Sequence, residues 1–189
     1  MAMFSQMSKL TDYLYLSGVM AITDNKLRLN NITNILNITM EVPGRKIPGI
    51  DCLTVQVDDL PTANLSVHFD RCADYINRVK QRGGKVLVHC MAGVSRSASI
   101  CLAYFMKYRH MTLKESHDFV KSIRFVIRPN PGFWRQLIAY EKKLFGKTSV
   151  TMIKSPIGWI PDLYRDQVKG MVGFTGSGRP SWMSGKTTR

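Results

Sequence analysis

The stretch Val86-Leu87-Val88-His89-Cys90-Met91-Ala92-Gly93-Val94-Ser95-Arg96-Ser97-Ala98-Ser99 decides how this chain folds. Its first half is a short apolar run rich in β-branched residues, which is typical of a fully buried strand. From Arg96 onward, apolar residues return at helical spacing. The pattern therefore predicts a strand that passes into a helix through a loop, in which Gly93 turns the backbone without a side chain in the way.

The loop after Cys90 has the features of a phosphate-binding site. Backbone N–H groups that point inward at the positive end of a helix form a cradle for a dianion. Arg96 is expected to close the cradle from the side, because a planar guanidinium can bind two phosphate oxygens at once. The residues that we expect to bind the substrate phosphate are Met91, Ala92, Gly93, Val94, Ser95 and Arg96.

Cys90 is the candidate nucleophile of this loop. Thiols at a helix N-terminus beside a cation commonly have their pKa lowered from about 8.5 to within roughly 3.5–7.5, so they are largely thiolate at neutral pH. Ser97 offers a hydroxyl that can stabilise the thiolate by a hydrogen bond, and His89 is expected to orient the loop rather than act as a base. The alternative interpretation is a buried structural cysteine in an ordinary strand, loop and helix.

Composition and cysteine spacing indicate the class of protein. A chain of 189 residues suits one domain with a substantial core. No apolar run approaches the length of about 18 residues expected of a membrane span, and the N-terminus lacks the pattern of a secretory signal. Four cysteines without C-x-x-C spacing argue against zinc and against a disulfide framework. We therefore expect a cytoplasmic protein that is also nuclear, with Cys52 and Cys101 packed in the core.

The chain is strongly basic. Its 27 Lys and Arg residues outnumber 13 Asp and Glu residues, which gives a formal net charge of +14. This charge favours association with phosphorylated, acidic partners. The sequence contains no recognisable nucleic-acid-binding motif and no basic run with interleaved aromatic residues, so specific nucleic-acid binding is not expected.

Predicted strands alternate with predicted helices along the chain. This order implies an α/β fold with a mostly parallel central sheet that is flanked by helices on both faces. Strands are predicted over 13–16, 32–38, 52–57 and the run that ends at Cys90, with Ser17-Gly18 as a turn. Helices are predicted over 24–30, 66–81, 97–109, 112–123 and 132–145, where Thr112 and Glu115 form a capping box and Gly146 ends the last helix.

The chain divides into four predicted regions. Residues 1–9 are expected to form an N-terminal arm, and residues 10–146 the catalytic domain. Residues 147–171 form an extension that should pack on the domain, because its segment 155–162 is too apolar for a free linker. Residues 172–189 are rich in Gly, Ser, Thr and Lys, which predicts a disordered tail.

A second catalytic group is needed if a phosphocysteine is formed. A carboxylic acid on a mobile loop is suited to protonate the leaving oxygen. Asp58 and Asp59 lie on the predicted loop 58–65, which leaves the carboxyl edge of the sheet together with the Cys90 loop. The residues alone leave the choice between the two carboxylates open.

The arrangement His89-Cys90-x-x-Gly93-x-x-Arg96-Ser97 resembles the phosphate-binding loop of the protein tyrosine phosphatase superfamily, and residues 92–97 resemble its dual-specificity branch. Further similarities lie in Ala103-Tyr104-Phe105-Met106, in residues 128–133 with Gln136-Leu137, and in the extension Ser155-Pro156-Ile157-Gly158-Trp159-Ile160-Pro161-Asp162, which looks like that of small atypical members. Met91 departs from the small residue that is usual there. The resemblance implies a dual-specificity phosphatase fold, a phosphocysteine intermediate without metal or other cofactor, and Asp59 as the acid.

Three functions follow as hypotheses. The first is a protein phosphatase acting on phosphotyrosine and phosphoserine or phosphothreonine, with phosphorylated proteins, signalling kinases among them, as partners. The second is a phosphoinositide or RNA 5'-phosphatase with the same loop, which the net charge favours, although the loop adds no cation. The third is a catalytically silent scaffold that binds phosphoproteins, which the presence of Cys90, Arg96 and a candidate acid does not favour. The oligomeric state is left open.

Overall fold

The computed structural model describes residues 5–44 and 46–169. The elements are β1 (Ser8–Lys9), β2 (Leu14–Gly18), α1 (Asp24–Leu29), β3 (Asn34–Asn37), β4 (Asp51–Thr54), α2 (Phe69–Gln81), β5 (Val86–Cys90), α3 (Arg96–Arg109), α4 (Leu113–Ile123), α5 (Pro131–Phe145), β6 (Met152–Ser155) and β7 (Gly158–Pro161). A sheet of five strands has the order β1-β2-β5-β3-β4, in which β1 is antiparallel and the other neighbours are parallel. The prediction of an α/β fold with a mostly parallel central sheet is confirmed.

The central strand is β5, and all of its residues are buried. Its partners are β2 and β3, so that His89 lies opposite Ser17 on one side and Asn37 on the other. Parallel strands end at the same edge of a sheet. The segments that follow β2, β3 and β4 therefore surround the loop that follows Cys90.

Alternate side chains of β5 pack on opposite faces of the sheet. Val86 and Val88 belong to the main core, which α2, α3, α4 and α5 cover. Leu87 belongs to a smaller core on the other face, where it packs with Ile35 and with Leu27 of α1. Both faces are covered by helices, which explains why the first three residues of β5 are all apolar.

The ends of several elements differ from the prediction. Ser17 and Gly18 continue β2, because they pair with His89 and Cys90 instead of turning. The predicted strand 52–57 ends at Thr54, since its neighbour β3 ends at Asn37. Ser8–Lys9 form a short edge strand that the sequence pattern did not indicate. The predicted capping box of Thr112 and Glu115 is confirmed.

The prediction that Cys52 is a core residue is wrong. Cys52 is exposed, because β4 is an edge strand with a partner on one side only. Cys101 is buried as expected.

The chain after α5 forms a hairpin of β6 and β7, followed by a 3-10 helix over Asp162–Val168. Tyr164 of this helix packs edge-on against Trp134, and its hydroxyl lies 3.2 Å from Nε2 of His117. Ile160 is buried, whereas Ile157 and Trp159 are exposed. The predicted disordered tail, 172–189, and the first four residues of the predicted arm lie outside the described residues. Within the described residues, no helix is both long and apolar enough to cross a membrane.

Candidate active site

The loop between β5 and α3 turns its carbonyl groups outward. Each carbonyl oxygen from residue 91 to residue 94 accepts a hydrogen bond from outside the loop: Met91 from the Val19 N–H (3.0 Å), Ala92 and Gly93 from the Arg124 guanidinium (3.0 and 2.7 Å), and Val94 from the Arg128 N–H (2.8 Å). In the described part of the chain, no protein oxygen accepts a hydrogen bond from the N–H groups of residues 91–95. These donors are therefore free to bind an anion at the N-terminus of α3.

Gly93 allows this backbone path. Its φ of +67° lies in the left-handed region, and a Cβ atom at this position would overlap the backbone of Ser17 and Gly18. The loop therefore lies directly against the end of β2, and the fit requires glycine.

Arg124 holds the loop by binding two of its outward-turned carbonyl groups, a role that the sequence analysis missed. Its side chain is buried and donates from Nε to the Gly93 carbonyl and from Nη2 to the Ala92 carbonyl. Nη1 donates to the Gln6 carbonyl and to the Ser8 hydroxyl. Burial lowers the pKa of Arg124. Nothing in the spacing of Arg124 relative to Cys90 could have identified it, because the contact spans 31 residues and depends on how α4 packs.

Cys90 lies at the floor of the loop, with 1% of its surface exposed. Its sulfur accepts a hydrogen bond of 3.1 Å from the hydroxyl of Ser97. The neighbouring His89 is buried, and its Nδ1 lies 3.4 Å from the Cys90 carbonyl oxygen. Burial lowers the pKa of His89 to about 4, so the ring is neutral at physiological pH. A neutral ring that contacts the backbone is suited to orient the loop.

Burial gives two of the other cysteines a different character. It raises the pKa of Cys72 to about 12, and it also raises the pKa of Cys101. Both thiols therefore stay protonated at neutral pH, and neither is a nucleophile.

Arg96 is buried, and its five N–H groups divide into two sets. Nη1 and Nη2 donate to the two carboxylate oxygens of Glu41 at 2.7 and 2.8 Å, and Nη1 also donates to the Val57 carbonyl at 3.0 Å. Nε has no hydrogen-bond partner among the described residues. The Nε–H and the second N–H of Nη2 share one edge of the guanidinium, so this edge can bind two oxygens of one phosphoryl group.

Glu41 is a second residue that the sequence analysis missed. The hydrogen bonds from Arg96 hold the pKa of its carboxyl at about 2, so it is ionised throughout the neutral range. Its position after β3, at the carboxyl edge of the sheet, is a signal that could have identified it.

Of the two candidate acids, the structure brings Asp59 to the loop. Its Oδ1 accepts hydrogen bonds from the Ser95 hydroxyl (2.7 Å) and from the Asn130 side-chain amide (2.9 Å). Its Oδ2 lies 3.5 Å from Nε of Arg96. Asp58 is exposed. A proton on Asp59 would therefore stand beside the group that Arg96 binds.

The N-terminus of α5 anchors the loop that carries Asp59. Asn130 caps this helix by accepting a hydrogen bond from the Phe133 N–H. Gln136 accepts from the N–H groups of Leu65 and Ser66 at 2.9 and 2.8 Å and donates to the Ala63 carbonyl at 2.8 Å. A Cβ atom on Gly132 would overlap the Pro61 carbonyl oxygen, so the two segments are in direct contact.

Comparisons with known proteins identify the family of this chain. The family described as "Dual specificity phosphatase, catalytic domain" matches residues 14–143. The chain is 48% identical over 170 residues to dual specificity protein phosphatase 18 of Pongo abelii, which covers 89% of this chain and 90% of that protein. It is 42% identical over 170 residues to dual specificity protein phosphatase 14 of Homo sapiens, with 89% and 86% covered.

Solved structures give the same result. The crystal structure of human DUSP28 superposes with a TM-score of 0.70 at 34% identity and covers 73% of this chain and 94% of that chain. The chain therefore belongs to the dual specificity phosphatase family, as a small atypical member, and is a protein phosphatase.

Proposed function

We propose that this phosphatase transfers the phosphoryl group of its substrate to Cys90. The Cys90 thiolate attacks phosphorus, the bond from phosphorus to the substrate oxygen breaks, and Asp59 gives its proton to that oxygen. Water then attacks the phosphocysteine, Asp59 takes a proton from the water, and the sulfur leaves as thiolate while the Ser97 hydroxyl donates a hydrogen bond to it. The loop N–H groups and Arg96 stabilise the charge on the phosphoryl oxygens in both steps.

The observation that carries this proposal is the orientation of the loop backbone. The carbonyl groups of residues 91–94 are bound from outside the loop, while the N–H groups of residues 91–95 have no protein oxygen as acceptor among the described residues. An arrangement of this kind binds a tetrahedral dianion directly above a nucleophile.

Protein substrates are favoured over phosphoinositides or RNA. Met91, Ala92, Gly93, Val94 and Ser95 add no cation to the loop, whereas a substrate with several phosphate groups would require further cations at the site. A silent scaffold is not favoured, because nucleophile, arginine and acid are all present. We propose that the partners are phosphorylated proteins, signalling kinases among them, and that the protein acts in the cytoplasm and the nucleus.

The test compares Cys90→Ser with the wild-type chain on a panel of phosphotyrosine, phosphothreonine and phosphoserine peptides, with phosphoinositide and RNA controls. The variant should bind phosphopeptides but lose hydrolysis, because a serine hydroxyl is not ionised under these conditions. Cys52→Ser, at the exposed cysteine of β4, is the matched control and should remain active. Substantial turnover by Cys90→Ser would contradict the proposal, as would a preference for the phosphoinositide or RNA controls.

A further inference from the structure

Apolar side chains are concentrated at the mouth of the active site. Among the described residues, nine large apolar side chains are exposed, and five of them lie on the segments that surround the catalytic loop. We call these five the apolar rim: Met20 (73% exposed), Met40 (52%), Leu60 (54%), Met91 (39%) and Phe125 (61%). Exposed apolar side chains that are grouped in this way indicate an interaction site.

The positions of the rim residues relative to the catalytic loop follow from the contacts of their neighbours in the sequence. Met20 follows Val19, whose N–H donates to the Met91 carbonyl. Met40 donates its own N–H to the Glu41 carboxylate that binds Arg96.

The other rim residues are placed in the same way. Leu60 follows Asp59, and Phe125 follows Arg124, which holds the Ala92 and Gly93 carbonyls. Each rim residue is therefore in the catalytic loop or within one residue of a group that contacts that loop or Arg96.

The charge of the mouth differs from that of the whole chain. The segments 19–22, 39–42, 58–62, 91–95 and 125–127 contain Glu41, Asp58 and Asp59 but no lysine or arginine, although the net charge of the chain is +14. Acidic flanking residues, and the headgroups of anionic lipids, would find no lysine or arginine on these segments with which to pair. The mouth therefore matches an uncharged, apolar substrate surface around a single phosphate.

We propose that the apolar rim binds apolar side chains immediately before and after the phosphorylated residue of a protein substrate. This proposal rests on the proposed function, because the phosphate in the loop fixes where the flanking residues lie. Three of the five rim residues are methionines, whose unbranched side chains adapt to partners of different shape. The rim accordingly accepts Leu, Ile, Met or Phe at the flanking positions and discriminates against Asp and Glu.

The first experiment uses synthetic phosphotyrosine peptides that differ only in the two flanking residues, which are Leu, Ser or Glu. The value of kcat/KM for the Leu peptide should exceed that for the Ser peptide by about tenfold, the lower end of the effect of one apolar contact on specificity. The Glu peptide should be the poorest substrate. p-Nitrophenyl phosphate, which has no flanking residues, measures the basal activity.

The second experiment uses variants of the rim. The double variant Met20→Gln, Phe125→Gln should bring the ratio of kcat/KM for the Leu peptide to kcat/KM for the Ser peptide close to one. It should leave the hydrolysis of p-nitrophenyl phosphate unchanged. Leu29→Gln is the matched control, because Leu29 is 72% exposed but is remote from the active site. It lies at the end of α1, just before the amino end of β3, whereas the active site lies at the carboxyl ends of the strands. This variant should keep the wild-type ratio.

Several outcomes would overturn the proposal. Hydrolysis of all three peptides at equal kcat/KM would overturn this inference and leave the proposed function standing. So would a loss of preference for the Leu peptide in Leu29→Gln as large as that in the rim variant. Binding to phosphatidylcholine vesicles that the rim variant loses, with unchanged peptide rates, would assign the rim to a membrane instead. Failure to hydrolyse any phosphopeptide would overturn the proposed function itself, and this inference with it.

Discussion

At the scale of single residues, the Arg96 side chain is held by other protein groups in the orientation that binds the phosphoryl group. Glu41 and Val57 take three of its N–H groups, and these contacts leave the edge formed by Nε and Nη2 for the phosphoryl group. A guanidinium that is held on one edge loses less conformational freedom when it binds on the other. Glu41 is therefore a positioning residue, which acts on the substrate through Arg96.

Glu41→Gln should weaken both catalysis and phosphate binding. A carboxamide offers one acceptor and turns an NH₂ group towards the arginine, so the bidentate contact is lost. We expect kcat/KM for p-nitrophenyl phosphate to fall by about 10–100-fold, as for the loss of about one hydrogen bond to a charged group. Asp58→Asn, at an exposed carboxylate beside the site, is the control. Tighter inhibition by vanadate in Glu41→Gln would instead indicate that Glu41 competes with the substrate for Arg96.

The pH dependence of this pair follows from its pKa. The pKa of Glu41 is lowered from 4.5 to about 2, so the stabilisation from the ion pair is complete above about pH 4.5 and is lost as the pH falls towards 2. Changes of activity between pH 5 and 8 therefore do not arise from Glu41.

Asp59→Asn tests the assignment of the acid. It should slow the hydrolysis of an alkyl phosphate, whose leaving oxygen is strongly basic, by about 10²–10⁴-fold, and it should affect an activated aryl phosphate far less. The basic limb of the pH–rate profile should also flatten, because that limb reports the loss of the acid's proton. If Asp58→Asn shows this pattern and Asp59→Asn does not, the assignment is wrong by one residue.

At the scale of elements, the N-terminus of α5 controls where the acid lies. Asn130 contacts Asp59 directly, while Gln136 binds the backbone of residues 63, 65 and 66, at the far end of the same loop. The acid loop is therefore attached to a helix at both ends. A helix that packs against α3 can hold the loop in register with Cys90.

Gln136→Ala should destabilise this attachment. Three backbone groups lose their partner, and we expect the free energy of unfolding in urea to fall by about 1–3 kcal/mol. Hydrolysis of the alkyl phosphate should fall more than that of the aryl phosphate, because the position of the acid matters only for the former. Arg135→Ala, at the exposed neighbouring position, is the control for both measurements. An equal loss of hydrolysis of the alkyl and the aryl phosphate would show that Gln136 acts on the whole fold and not on the position of the acid.

At the scale of the whole molecule, burial of His89 in the central strand links stability to pH. Its pKa is lowered from 6.5 to about 4 by burial, so the unfolded chain binds a proton over a range in which the folded protein does not. This contribution to stability is constant above about pH 6.5 and declines as the pH falls towards 4, by about 3 kcal/mol in total. The lowered pKa of His117, which burial also causes, acts with the same sign.

Urea unfolding at a series of pH values between 7.5 and 4.5 measures this effect. His89→Asn should show a shallower loss of stability on acidification than the wild-type chain. His110→Asn, at an exposed residue after α3, should keep the wild-type dependence of the free energy of unfolding on pH. A wild-type slope in His89→Asn would show that the acid sensitivity arises elsewhere.

Much of this protein could be predicted from the sequence because the decisive features are local. The strand, turn and helix around Cys90 lie within fourteen consecutive residues, and their periodicity, with Gly93 at the turn, predicts both the loop and the class of fold. The cap of α4 likewise depends on side chains that bind the helix's own first turn.

Other features depended on the tertiary structure. Arg124 contacts Gly93 across 31 residues, Arg96 contacts Glu41 across 55, and Asn130 contacts Asp59 across 71. The exposure of Cys52 and the different surroundings of Asp58 and Asp59 are of the same kind. Local propensity does not determine such contacts, because they depend on where separate elements end and which way each side chain points once the sheet and its helices have packed.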